Sequence, residues 1–194
     1  MKKILLIIIL IIAIFQMVVL ATAIDIGDLA INRGTSIGTG RTLVNKGNPA
    51  NDSGKITNVK IWASDNMTGC EVATFFVVSG NNLSTRDTHY IGNVTAGSEQ
   101  SFAVDLDVEA GDCIGIYFDL DGLECDTNGT DGMWYSDIET DLIPCENVTF
   151  NFIGTYILSL YGTGTTAVGW SHKWNTQTIG KWNTKEFNKW NGLE

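Results

Sequence analysis

An all-β fold is what this sequence predicts: a jelly-roll-like β-sandwich followed by a short β-repeat C-terminal tail. Three observations predict it. Between residues 24 and 162 no stretch shows the periodicity of an amphipathic helix. The apolar residues fall instead in short runs, alternating or continuous, as strands require. Between the runs stand "NDSG", "SGNN", "TAGSEQ", "EAGD" and "NGTDG", all turn chemistry. Roughly eight to ten short strands without helices is the pattern of a sandwich or barrel.

The elements follow in order. The first strand is expected at "IDIGDLAI", and "TLVN" is a weaker candidate after it. "KITNVKIWA" (55–63) places Thr57, Val59 and Ile61 on one face. "CEVATFFVVSG" (70–80) is nearly continuous apolar sequence, as for a strand buried on both faces. "SFAVDLDV" (101–108) is the cleanest alternation, with Phe102, Val104, Leu106 and Val108 opposite Ala103, Asp105 and Asp107. "CIGIYFDL" (113–120) groups Ile114, Ile116 and Phe118. "MWYS" and "VTFNF" are weaker strands, and "TYILSLYG" (155–162) closes the domain. Residues 163–172, rich in Gly and Thr at their start, read as a linker.

The N-terminus gives the address. Lys2 and Lys3 precede an apolar run from Ile4 to Phe15 that resumes after Gln16 and continues to Leu20; Ala21-Thr22-Ala23 follows. That order is the grammar of a secretory signal, so residues 1–23 are read as a signal peptide cut after Ala23. A retained anchor is the alternative, because the run just reaches the length that spans a bilayer. Either way the rest of the chain is exported, to be secreted or exposed on a cell or virion surface. Membrane contact is expected only through an uncleaved N-terminal segment.

Two further features agree with export. Cys70, Cys113, Cys125 and Cys145 are an even set, which in an exported chain points to disulfides. The short separation favours Cys113 with Cys125, leaving Cys70 with Cys145. Zinc is disfavoured, since no Cys-x-x-Cys pair occurs and His89 and His172 are far apart in sequence. Asn-x-Ser/Thr acceptors occur at Asn51, Asn66, Asn82, Asn93, Asn128 and Asn147. Chance in a chain of this composition gives roughly two or three, so the domain is expected to be glycosylated.

Charge narrows the partners. The whole chain carries a formal −10. Residues 24–172 hold 20 acidic and six basic side chains, while residues 173–194 hold four Lys and two Glu. The acidic body excludes nucleic acid as a partner, since phosphate contacts need a basic patch. The tail has the opposite sign from the body. It repeats a frame of eight residues, so that Lys173-Trp174, Lys181-Trp182 and Lys189-Trp190 recur, each followed by Asn. At helical spacing the three Trp smear round the axis; in an extended chain they share one side. That side is expected to take a surface glycan or other copies of this chain, and the six Lys and Trp are the candidate contacts.

The layout resembles a loose group of uncharacterised exported β-sandwich proteins from microbial and viral environmental sequences. "ASDNMTGCEVATFFVVSGNNLSTRD", "GDCIGIYF", "LSLYGTG" and "GWSHKWNTQTIGKWNT" carry the resemblance over most of the mature chain. It implies a β-sandwich and a surface location, and no defined activity.

The densest polar stretch, "DLDGLECDTNGTDG" (119–132), offers Asp119, Asp121, Glu124, Asp126 and Asp131 as oxygen ligands for a structural calcium. The spacing departs from an EF-hand loop, and a solvated acidic loop is the alternative. No nucleophile elbow occurs. The functional expectation is therefore a non-enzymatic extracellular protein of attachment or recognition, with carbohydrate as ligand. A coat or filament subunit assembled through the tail is one alternative, and a secreted glycosidase-like sandwich another.

Overall fold

Strand β5 (Met67–Ser79) organises the molecule, because it is apolar on both faces. Cys70 and Val72 point to one side, Ala73 and Phe75 to the other, and all four are fully buried. A strand of that kind must be covered twice. The computed structural model describes residues 21–38, 40–119 and 122–166. Residues 1–20, the last six residues of the expected linker and the whole Lys-Trp-Asn tail lie outside them.

The remaining strands are β1 (Ala23–Gly27), β2 (Thr35–Ile37), β3 (Leu43–Asn45), β4 (Gly54–Trp62), β6 (Asn82–Val94), β7 (Glu99–Val108), β8 (Cys113–Tyr117), β9 (Leu123–Asp126), β10 (Met133–Tyr135), β11 (Val148–Thr149), β12 (Asn151–Ile153), β13 (Ile157–Leu158) and β14 (Leu160–Thr166). They form three sheets, ordered β1-β14-β4-β7, β11-β6-β5-β8-β3-β10-β12 and β13-β9-β2. Every named strand pair is antiparallel. The chain is all-β, as its sequence predicts.

Two apolar clusters cover the two faces of the seven-stranded sheet. The inner cluster joins all three sheets: Ile24, Ile26, Ile56, Val59, Ile61 and Leu106 from the first, Cys70, Val72, Ile114 and Ile116 from the second, Leu123, Cys125 and Leu158 from the third. The outer cluster packs Ala73, Phe75, Leu83 and Cys113 under Trp134, Ile143 and Phe150. Phe75 and Phe150 meet edge to face, with ring centroids 6.1 Å apart. Space under Phe75 is made by Gly115, where a Cβ would come 2.8 Å from the Leu43 carbonyl oxygen. On the other side, Thr74 Oγ1 donates to the Asp107 carbonyl at 2.7 Å, and Asp87 Oδ2 accepts from the Asp107 N–H at 2.8 Å. These bonds draw the β5–β6 hairpin against β7 and bring the edges of the first two sheets together.

Several expectations change. In β4 a bulge between Ile56 and Asn58 flips the alternation, so Ile56 joins Val59 and Ile61 inside and Thr57 is exposed. "TYILSLYG" divides into β13 and β14, in different sheets. β14 runs to Thr166, so the expected linker begins as strand. β9 lies inside the acidic stretch read as loop, with Glu124 buried.

The two disulfide pairs expected from spacing do not fit this arrangement. All four cysteines are free. Cys70 and Cys125 belong to the inner cluster, Cys113 and Cys145 to the outer one. Both expected pairs, Cys113 with Cys125 and Cys70 with Cys145, would therefore have to cross the seven-stranded sheet. Cys113 and Cys145 do share a face, but Cys145 lies over Thr85, donating its N–H to Thr85 Oγ1 at 2.9 Å. Phe75 stands between Thr85 and Cys113 in the sheet. Thr85 and Cys113 are thus two strand spacings apart, about 9–10 Å.

Burial pushes the Cys70 thiol up to about 12 and Cys113 up to about 11, and raises Cys125 as well. Held as neutral thiols, these three are poor nucleophiles. We expect a thiol reagent at pH 8 to label half-buried Cys145 first in the native protein, and the other three only on unfolding. Mass mapping without reductant that finds a cystine would contradict this arrangement. The raised values also fix a sign. Above pH 9 the unfolded thiols ionise while the folded ones keep their protons, so stability falls as pH rises toward 11–12. Melting temperatures measured from pH 8 to 11 should decline.

Arg86 and Asp112 tie the β6 edge to the turn between β7 and β8. Arg86 donates through Nε to one oxygen of Asp112 and through Nη2 to the other, the latter at 3.0 Å. The Asp112 carboxylate is almost fully buried. Arg86→Ala leaves that charge unpaired and should cost about 3 kcal/mol in urea unfolding.

Candidate functional site

The candidate site with the most chemical variety lies in the seam between the seven-stranded sheet and the three-stranded one. It is a cavity of about 420 Å³ with its floor on Leu43 and Met133, both buried in the inner cluster. That volume is in the range of small-molecule sites. Ile37 from β2 and Ile153 from β12 form apolar walls, and Tyr135 and Tyr156 present their rings. Both tyrosines pack against the core cluster and remain half-buried. Neither phenol hydroxyl bonds to a described residue.

Two charged groups edge the opening, Arg41 and Glu139. Arg41 is fixed by one nitrogen: Nη1 donates to the carbonyls of Ser136 at 2.6 Å and Asp137 at 2.7 Å. Its Nε and Nη2 have no hydrogen bond to a described residue. The guanidinium is thus oriented by the fold with donors left over. Glu139 is exposed. The site therefore offers aromatic faces, two phenol hydroxyls, a donor fork and an acceptor around an apolar floor. Chemically, that suits a ligand with one apolar face and a ring of hydroxyls.

A larger hollow of about 700 Å³ lies at the base of the β5–β6 hairpin, beside Phe76, Val78 and Pro144. Two of its hydroxyls are already engaged by backbone. Ser84 Oγ accepts the Asn147 N–H at 2.8 Å, and Thr85 Oγ1 accepts that of Cys145. It has less to offer a polar ligand.

The residues expected to bind calcium are dispersed. Asp119 accepts the Tyr117 hydroxyl at 3.0 Å, and Glu124 Oε2 accepts the Arg33 N–H at 3.0 Å. Asp126 closes its own turn, accepting the Asn128 N–H at 2.9 Å. Asp131 lies beside Gly47 and Asp28, and Asp121 is outside the described residues. Burial, reinforced by Asp131, raises the Asp28 carboxyl above the usual range. Among the described residues no three His, Cys, Asp or Glu are grouped to hold a metal ion. His89 is on β6 opposite Val72. His172 and the candidates Trp174, Trp182, Trp190, Lys173, Lys181 and Lys189 lie outside the described residues.

The seam site was not legible in the sequence. Its lining comes from β2, the β2–β3 connection, β3, β10, the segment after it, β12 and the turn before β13. The nearest signal was "MWYS", read only as a weak strand. No family model, curated protein or solved structure matches this chain.

The six glycosylation acceptors differ in their surroundings. Asn51, Asn66, Asn93, Asn128 and Asn147 are exposed, and Asn82 is half-buried. Asn82 Nδ2 donates to Asn147 Oδ1 at 3.1 Å, and Thr149 Oγ1 donates to Asn82 Oδ1 at 2.8 Å. Expression in a glycosylating host, followed by glycopeptide mass spectrometry, should show high occupancy at Asn66, Asn93 and Asn128 and the lowest at Asn82.

Proposed function

We propose that this chain is an exported surface protein that recognises carbohydrate, and that the seam cavity is where it does so. One observation carries the reading: Tyr135 and Tyr156 line an apolar-floored cavity whose rim holds Arg41 and Glu139. Sugar rings stack their C–H faces on aromatic rings and hydrogen-bond through their hydroxyls to fixed charged groups. The excess of export features in the sequence, from the N-terminal apolar run to the glycosylation acceptors, supports an extracellular setting.

Binding without turnover is the better reading of this site. Cleavage of a glycosidic bond ordinarily uses two carboxyl groups flanking it. Glu139 is the sole carboxylate among the described residues that line the cavity.

The purified chain applied to a glycan array should retain a restricted set of sugars. Tyr156→Ala should weaken the best of them about tenfold. Glu139→Gln, at an exposed position that leaves the packing intact, should weaken it by a smaller factor. An array that retains no sugar at any concentration, from protein with a normal melting profile, would refute the reading.

A further inference from the structure

We infer that the sugar bound in the seam cavity carries a carboxylate, and that Arg41 reads it through Nε and Nη2. This rests on the carbohydrate reading and names the ligand class for the same site.

The three arginines of the chain spend their donors differently. Arg86 grips the Asp112 carboxylate with Nε on one oxygen and Nη2 on the other. Arg33 directs Nε to Ser159 Oγ and Nη2 to the Leu29 carbonyl, both at 3.0 Å. Arg41 commits neither of these atoms to a described residue. Both of its bonds leave from Nη1, to the carbonyls of Ser136 and Asp137. Nε–H and the nearer N–H of Nη2 point the same way in the guanidinium plane. The edge left open on Arg41 is therefore the one with which Arg86 holds a carboxylate.

That edge is held in place. Arg41 is half-buried, and Ser136 beneath it is fully buried. The Ser136 N–H donates to the Thr42 carbonyl at 3.0 Å, and Ser136 Oγ accepts the Thr42 N–H at 3.1 Å. The Ser136 hydroxyl donates in turn to the Ile138 carbonyl at 2.9 Å. Asp137 is tied to β12, its Oδ1 accepting from Asn151 Nδ2 at 2.9 Å. The two carbonyls that take Nη1 are thus fixed against the start of β3 and against β12, and the guanidinium with them. A donor pair that is already oriented loses little freedom on binding, which makes a bidentate contact selective.

Charge at the opening points the same way. Arg41 is the sole cation among the described residues that line the cavity. It forms no ion pair with a described residue, Glu139 included. Glu139 lies beside Gly40, where a Cβ would come 3.5 Å from that of Glu139. One cation and one carboxylate at one opening suit a ligand with a single acid group. A second acid would face Glu139. A polyanionic chain would also meet the acidic body, where residues 24–172 hold 20 acidic and six basic side chains. Glu139 is left to accept from a hydroxyl or an amide N–H of the same sugar, while the ring stacks on Tyr135 or Tyr156. A terminal uronic or sialic acid has this make-up: one carboxylate, hydroxyls and an apolar ring face.

The test compares ligands that differ at one group. Methyl glucuronide and the methyl glycoside of N-acetylneuraminic acid are each titrated into the full chain beside the carboxamide of the same sugar. The carboxamide keeps the ring and hydroxyls and loses the charge. At least one acid should bind about tenfold or more tighter than its carboxamide. Added salt should weaken the acid and spare the carboxamide. Arg41→Gln should bring the ratio of the two affinities close to one. A merely structural role for Arg41 would weaken both ligands together and leave the ratio where it was. Acetate at the same concentration should not displace the acid, since it has no ring to stack. A carboxamide that binds as tightly as its acid, a ratio unmoved by Arg41→Gln, or displacement by acetate would each overturn the inference. If Arg41→Gln fails to fold, the comparison in the unaltered protein decides by itself. The two readings fail separately: neutral sugars retained without preference for acids leave the carbohydrate reading standing, whereas an array that retains no sugar removes both.

Discussion

The constraint on which the rest depends is the double burial of β5. Its alternation sends Cys70, Val72 and Thr74 inward and Ala73 and Phe75 outward. One face is covered by the first and third sheets. The other needs a cover from elsewhere, and the long segment after β10 supplies it with Ile143, Phe150 and the half-buried Cys145. The cover is irregular, so it is fastened by side chains reaching backbone. Thr42 Oγ1 accepts the Leu142 N–H, and Ser84 and Thr85 accept those of Asn147 and Cys145. Backbone groups in a covering loop need such partners, because burial removes water from them.

That arrangement explains why pairing cysteines by spacing misleads here. An even number of cysteines in an exported chain is a sound prior for disulfides, and spacing is a sound prior for hairpin closure. Neither contains the information that a sheet lies between the partners. Cys113 opens β8 facing outward, while Cys125 on β9 faces inward. Sequence separation measures loop entropy; facing is set by the parity of each residue within its strand. The thiols are small apolar groups in a core, which is common for free cysteine.

The same distinction divides what was legible from what was not. β7 was readable because Val104, Leu106 and Val108 alternate with exposed acids, and the first sheet's outer surface is solvated. β4 was readable as a strand, but its facing was inverted for Ile56 by one inserted residue. β6 left little apolar signal because it carries Arg86, Asp87, Thr88 and His89, half-exposed positions that tolerate polar residues. The seam site was illegible for a stronger reason. Arg41, Tyr135 and Tyr156 acquire common purpose only through the pairing of β3 with β10 and the return of the chain before β13. No local pattern encodes a cavity assembled from so many segments.

The two ends of the domain then differ in what they can do. Along the seven-stranded sheet, Cys113 marks the end of β8 near the termini and Tyr117 the other. Leu43 pairs with Ile116 and Tyr135 with Leu43, so the seam cavity lies toward the second end. Arg41 and Glu139 extend further that way, beside Gly40, whose N–H donates to the Phe118 carbonyl at 2.9 Å. The Thr22–Thr166 pair thus lies at the end of the domain away from the tyrosine-lined cavity. The antiparallel pairing of β1 with β14 fixes that separation, since Ala23 and Thr165 are held opposite each other in one sheet.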